Sequence, residues 1–391
     1  MPLLLPRQTS SSCRTTAPRP YRRPRRPFLE PFRRPYRRGL RFRPPHPPHR
    51  LHFPAVTGLP LNNSFQPRRW LRGRHFQTIL PNWPWRRARV ERRAIPMRAA
   101  SEELLLDCGD GVTLQSFHAS PAKRGREPGK RLAVLLHGWE GSADSTYLLS
   151  LAQSLFAANF EVVRLNLRDH GATHHLNREL FHSCRLPEVV GAVRTLATKF
   201  PGLPMVLAGF SLGGNFMLRV AAHAEARHLP IERVLAVSPV LDPAATLVTL
   251  EQATPIYHGY FVRKWSRSLA KKQMAWPDLY DFDELLRVRN LREMTRQLVL
   301  AHTEYPSMDD YLAGYAITGG RLTTLAAPAT VITALDDPII AAADLARLAR
   351  TPHLDIITTA HGGHCGFIES LGDTTWIDAY AVNSLSRNPD M

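Results

Sequence analysis

From about residue 131 onward, two spacings of apolar side chains take turns along the chain. Short runs rich in Val, Leu and Ile, the pattern of a strand buried on both faces, alternate with stretches whose apolar residues recur at helical spacing. Runs at residues 131–138, 161–167, 205–207 and 231–240 predict strands; segments at 142–160, 187–200 and from Leu212 onward predict helices. Ser142 or Asp144 is placed to cap the first of these helices. Strands alternating with helices of roughly 10 to 15 residues imply a parallel sheet with right-handed crossovers. Upstream, residues 102–120 (EELLLDCGDGVTLQSFHAS) form the pattern of a hairpin turning at DCGDG. The alternation lapses over about residues 242–325, where aromatic and basic stretches such as YHGYFVRKWSRSLAKKQMAW predict an inserted helical cap. It resumes with a strand at 328–335, a helix at 338–350, a strand at 353–359 and a final helix at 374–386. The fold class expected is α/β, a mostly parallel central sheet flanked by helices.

Composition changes this picture only at the start of the chain. With 391 residues and 44% apolar content there is enough for a sizeable core. The net charge of +18 is unevenly placed: residues 1–100 hold 24 arginines against 2 acidic residues, whereas residues 101–391 hold 27 basic and 31 acidic residues. Residues 1–50 alone contain 14 Arg, 12 Pro and one acid, a composition that prevents regular helix and is too poor in apolar residues to order itself. Residues 1–64 are therefore expected to be a disordered Arg/Pro-rich segment preceding a domain at 65–391. Such a segment is either a basic arm for nucleic acid, another polyanion or an anionic membrane surface, or the product of a start codon placed too early. The four cysteines, Cys13, Cys108, Cys184 and Cys365, lack metal or disulfide spacing and suit a reducing compartment. No run approaches the roughly 18 apolar residues of a membrane span, and MPLLLP is too short for a signal-peptide core. A cytoplasmic location is the expectation.

The joint between the strand at 205–207 and the following helix is Gly209-Phe210-Ser211-Leu212-Gly213. Glycines two positions either side of a serine remove the Cβ atoms that a sharp strand-to-helix turn would bring into collision, so the hydroxyl is pushed out at a helix N-terminus. A serine hydroxyl needs a base and an acid to orient that base. Two later strand ends supply them: VITALDDPII places Asp336 and Asp337, and DIITTAHGGHCGF places His361 and His364. Asp337, which directly precedes PII, is preferred to Asp336, which would support the loop; Asp242 is an outside candidate. His364 is preferred to His361 because it lies deeper in the glycine loop. The oxyanion donors expected are the backbone N–H groups of Leu212 and of Trp139 in LLHGWEGS. His170, His174, His175 and His182 show no helix-spaced ligand set with partner carboxylates, so no metal and no cofactor are expected, and their loop is read as shaping an acyl pocket.

With these residues assembled, the chain resembles the YheT-like branch of the α/β-hydrolase superfamily, related to eukaryotic abhydrolase-domain lipases and yeast ethyl-ester synthase/esterases. The resemblance covers about residues 65–385 and is carried by HFQTILP, HGWEGS, LFHS, GFSLGGN, YFVRKW and FDE in the cap, DDP and HGGHCGF. It implies an α/β-hydrolase fold and a triad of Ser211, Asp337 and His364, acting on esters of short- to medium-chain acyl groups or on lipids. Two other readings accompany it: an acyltransferase using the same acyl-enzyme, and a non-catalytic binding protein on a hydrolase scaffold.

Overall fold

A computed structural model describes residues 61–387 apart from 63, 253 and 254. The basic arm, and Cys13 with it, lies outside the described residues. Three short helices open the described chain: α1 (Arg74–Ile79), α2 (Pro84–Arg93) and α3 (Ile95–Ala99). The hairpin β1 (Ser101–Asp107) and β2 (Thr113–Ala119) follows, then β3 (Leu132–Leu136), α4 (Thr146–Ala157), β4 (Glu161–Leu165), α5 (Leu186–Lys199), β5 (Met205–Phe210), α6 (Leu212–Ala222) and β6 (Ile231–Val237). Between β6 and the next strand the chain runs through α7 (Pro243–Gln252), α8 (Pro255–Ala275), α9 (Leu291–His302) and α10 (Met308–Gly314). It closes with β7 (Ala329–Ala334), β8 (Leu354–Thr359) and α11 (Trp376–Leu385).

The eight strands make one sheet in the order β1-β2-β4-β3-β5-β6-β7-β8. β2 runs antiparallel to both of its neighbours, and the remaining pairs are parallel. The central strands read as continuous apolar runs because both faces are covered. In β3, Leu132, Val134 and Leu136 enter the core on one side, while Ala133 and Leu135 enter that on the other. In β5, Met205 and Leu207 likewise oppose Val206, Ala208 and Phe210. Each fully buried Leu or Val contributes about 1.5–3 kcal/mol relative to an exposed position, so the sheet centre is the most strongly held part of the chain.

Two local expectations change, and a third stretch carries helices for which the apolar spacing gave no expectation. Helix α4 starts at Thr146 with Ser145 at its N-cap, not Ser142 or Asp144. The Ser142 hydroxyl instead accepts from the Asp144 N–H, and the Asp144 carboxylate is drawn away to Arg98 and Arg164. No α-helix forms over 338–350, where only a 3₁₀ segment, Ala342–Arg347, appears. The Asp337 carboxylate takes the N–H groups of Ile339 and Ile340 in a side-chain turn, and Arg347 is pulled to Asp242 and Asp344. Finally, α1 to α3 occupy a stretch whose density in arginine hid its apolar spacing.

Candidate active site

The turn from β5 into α6 is closed by backbone contact. A Cβ on Gly213 would collide with the carbonyls of Leu136 and His137, and one on Gly209 with the backbone of Gly213 and Gly214. Ser211 therefore takes φ 52° and ψ −120°, a conformation L-residues rarely adopt and one that costs on the order of 1–3 kcal/mol. Two backbone bonds hold it there: the Ser211 N–H donates to the Val237 carbonyl at 2.9 Å, and its own carbonyl accepts from Asn215 N–H at 3.1 Å. The side chain is presented at the N-terminus of α6, whose first residue, Leu212, has no carbonyl behind it to receive its N–H.

Past the end of β3, Gly138 faces this turn: a Cβ placed on it would lie 3.1 Å from that of Ser211. Its N–H donates to the Tyr147 hydroxyl at 3.0 Å, which fixes the loop carrying Trp139. Among the described residues neither the Trp139 nor the Leu212 N–H has a hydrogen-bond acceptor. Trp139 itself stacks on Phe261 at 5.3 Å between centroids and meets Trp265 edge-on at 5.1 Å, so α8 packs directly over this loop. Next to it, burial drives the Glu140 carboxyl up to about 7, with Lys264 pulling the other way.

At the ends of β7 and β8, the structure brings Asp337 and His364 together. The imidazole Nδ1 and the Asp337 Oδ2 stand 2.9 Å apart, with the carboxylate fully buried and the imidazole nearly so. Burial works against the charged imidazole, but the Asp337 carboxylate, with Cys365 beside it, outweighs that effect and holds His364 well above the ordinary histidine value. Asp337 Oδ1 is meanwhile fixed by the Ile339 and Ile340 N–H groups. The histidine loop is tied to the serine turn through β6. Cys365 N–H donates to the Ser238 hydroxyl at 3.4 Å, one residue beyond the Val237 carbonyl that receives Ser211.

The remaining candidates are engaged elsewhere. Asp336 accepts the Gly363 N–H at 2.9 Å and stands 3.8 Å from His361. Asp242 caps α7 through the N–H groups of Ala244 and Ala245 and pairs with Arg347. In the loop after β4, His170 Nδ1 donates to the Arg168 carbonyl, His174 meets the Ser268 hydroxyl of α8, and His182 lies 3.7 Å from Glu304.

Several residues that shape the site escaped the sequence reading. Gln77 is buried on α1 and makes three hydrogen bonds: its amide donates to the carbonyls of Leu71 and Ile368 and accepts from the Ile368 N–H. Its neighbour Thr78 accepts the backbone N–H of His364 at 3.0 Å. These two give a physical role to HFQTILP, which clamps the histidine loop from 286 residues away. Lys272 of α8 is fully buried and bonds Asp169 Oδ1 at 2.8 Å, together with the carbonyls of Asn177 and Glu179. Asn215, four residues after the serine, donates to the carbonyls of Val240 and Tyr315 and so fastens the end of the insertion to α6. For Asn215 the usable signal was a polar side chain within the largely apolar run of α6; Gln77, Thr78 and Lys272 carried none in their local sequence.

Residues 133–374 match the alpha/beta hydrolase family. Over 333 residues, 84% of this chain and 92% of the relative, the sequence is 28% identical to an Escherichia coli K12 protein named "Putative esterase YheT". It is 21% identical to mouse Phospholipase ABHD3 over 325 residues, covering 82% of this chain and 76% of that protein. It is 27% identical to a Xanthomonas campestris pimeloyl-[acyl-carrier protein] methyl ester esterase over 238 residues, 60% of this chain and 88% of the other. With that match and this sheet order, the chain belongs to the alpha/beta hydrolase family.

Proposed function

We propose that the protein is a serine hydrolase of carboxylic esters, with Ser211 as nucleophile, His364 as general base and Asp337 as the group that orients the imidazole. The observation that carries the reading is the buried Asp337–His364 pair, whose loop is bonded to Ser238 beside the Val237 carbonyl that holds a serine at φ 52°. With Nδ1 committed to Asp337, Nε2 is the nitrogen left to take the serine proton. Ser211 Oγ then bonds to the acyl carbon. The carbonyl oxygen gathers negative charge and is met by the Trp139 and Leu212 N–H groups and the positive end of α6. Protonated His364 returns the proton to the departing alcohol. Water enters, loses a proton to the same nitrogen, and releases the acid, restoring Ser211.

Trp139, Phe261 and Trp265 form an aromatic cluster adjoining the oxyanion loop, which suits an apolar acyl group of short to medium length. Relatives bearing the names esterase and phospholipase support ester chemistry. The direct test is Ser211→Ala, assayed with p-nitrophenyl esters. Turnover should fall by on the order of 10⁴- to 10⁶-fold while the circular dichroism spectrum stays unchanged. Undiminished turnover in a folded variant would overturn the assignment.

A further inference from the structure

A stretch of the described surface holds large apolar side chains in solvent among arginines of which only Arg87 and Arg98 are paired with an acid, Glu91 and Asp144. On the opening helices, Phe76 and Trp83 are 59% and 50% exposed and Ile79 is exposed beside them. Residues 65–100 carry ten arginines and a single acid, Glu91. The same pattern recurs on α8, which contains no acidic residue. Ile256, Tyr260, Arg263 and Arg267 follow one another at helical spacing along its exposed side, with Ile256 66% exposed. The opposite side of that helix is spent on Trp139 and Asp169. Arg263 and Arg267 also line a hollow of about 510 Å³ whose walls are otherwise chiefly Val262, Ala270 and Leu286. Among the described residues no acidic side chain pairs with Arg74, Arg263 or Arg267.

The two segments meet. His75 Nδ1 of α1 lies 2.8 Å from the Tyr257 hydroxyl of α8, with the rings stacked at 5.7 Å. That junction borders the histidine loop, because Thr78, on the same helix as His75, holds the His364 N–H.

We propose that this face docks the protein on the surface of an anionic phospholipid bilayer. Aliphatic and aromatic side chains enter the headgroup layer, and guanidinium groups bind phosphate oxygens. Exposed Phe, Ile and Trp are costly in water and are stabilised at that depth, whereas a nucleic-acid surface offers nothing to Ile79 or Ile256. A second copy packed here would set arginines against arginines. No described helix is long and apolar enough to cross a membrane, so the contact is peripheral. Docking stands apart from the catalytic assignment. The added consequence, that esters held in a bilayer are delivered beside His364, rests on that assignment.

The test is sedimentation of full-length Ser211→Ala protein with vesicles of equal parts phosphatidylglycerol and phosphatidylcholine, compared with phosphatidylcholine alone. Binding should require phosphatidylglycerol and weaken with salt. In the same background, Trp83→Ser with Ile256→Ser, and separately Arg263→Glu with Arg267→Glu, should each weaken it about tenfold or more. The same substitutions in active protein should leave turnover of a soluble p-nitrophenyl ester unchanged, which distinguishes lost docking from lost folding. Four results overturn the proposal. These are no binding to either vesicle, binding indifferent to both pairs of substitutions, retention on DNA in place of vesicles, and a dimer that the apolar pair dissociates without any vesicle binding. Failure of docking with intact ester turnover leaves the triad standing; failure of turnover with intact docking removes only the catalytic reading.

Discussion

Among single residues, activity turns on the proton carried by His364. Its imidazole must be neutral to accept the Ser211 proton, and Asp337 favours the charged form. Activity should therefore rise with pH, and kcat/KM should show an inflection above the ordinary histidine value of 6.5. Asp337→Asn removes the charge that sustains this shift. The inflection should move down by about one unit or more, and the plateau should drop by about 10³- to 10⁴-fold as imidazole orientation is lost. A pH profile of kcat/KM for both proteins checks this, and an unmoved inflection would separate His364 from the base. Ser211, Asp337 and His364 became candidates because Ser211 directly follows β5 and the other two lie in the loops just beyond β7 and β8, at the sheet's carboxyl edge. Choosing between neighbours drew on thinner cues, since Asp336 and Asp337 are adjacent identical side chains whose different partners, Gly363 and His361 for one and His364, Ile339 and Ile340 for the other, appear only in the fold. Gln77 and Thr78 were not legible as contacts of the histidine loop. Nothing local to α1 announces a partner 286 positions further on.

At the scale of elements, the same clamp makes a prediction about stability. Gln77→Ala strands the Ile368 N–H and two carbonyls inside the protein, and should destabilise it by about 3 kcal/mol. Urea unfolding measures this, and a loss below about 1 kcal/mol would show that water replaces the side chain. A second joint, Lys272 with Asp169, fixes α8 to the loop after β4. Burial pushes Lys272 down and Asp169 up, each against its charged form, so desolvation weighs heavily on this pair. Lys272→Met should cost about 3–5 kcal/mol by leaving the buried Asp169 carboxylate with the Phe181 N–H and no paired lysine. Adding Asp169→Leu should restore much of that, as expected when desolvation consumes most of the pair's attraction. Strands and the helices that alternate with them were read from spacing, whereas α8 and α9 were expected only as part of an inserted helical cap. The segment 338–350 was misread, because AAADLARLAR has helical propensity that Asp337, Asp242 and Asp344 override by capturing its backbone and Arg347. Lys272 hid for the opposite reason, looking like a solvent-facing member of the AKKQ run.

At the scale of the whole molecule, the sheet and the helices inserted after β6 share polar joints as well as apolar packing. Asn215 holds Tyr315, Lys272 holds Asp169, and Trp139 stacks on Phe261. We expect the insertion and the sheet to unfold as one unit. Near-ultraviolet circular dichroism, which follows the aromatic insertion, and far-ultraviolet circular dichroism should give coincident urea transitions, and separated midpoints would contradict this. The alternation of strand and helix was legible at this scale because a doubly covered parallel sheet forces long apolar runs. The packing of α8 onto the loop after β3 was not, because the aromatics of YHGYFVRKW fit a core or a pocket lining equally well until Trp139 is seen against Phe261 and Trp265.

The most direct test of the central claim is whether Ser211 is an activated nucleophile. The folded protein should be treated with a fluorophosphonate and the adduct located by peptide mass spectrometry. The account predicts a single adduct on Ser211, formed rapidly in the native protein and lost in His364→Ala. A folded protein that takes up no label, or carries it on another residue, would contradict it.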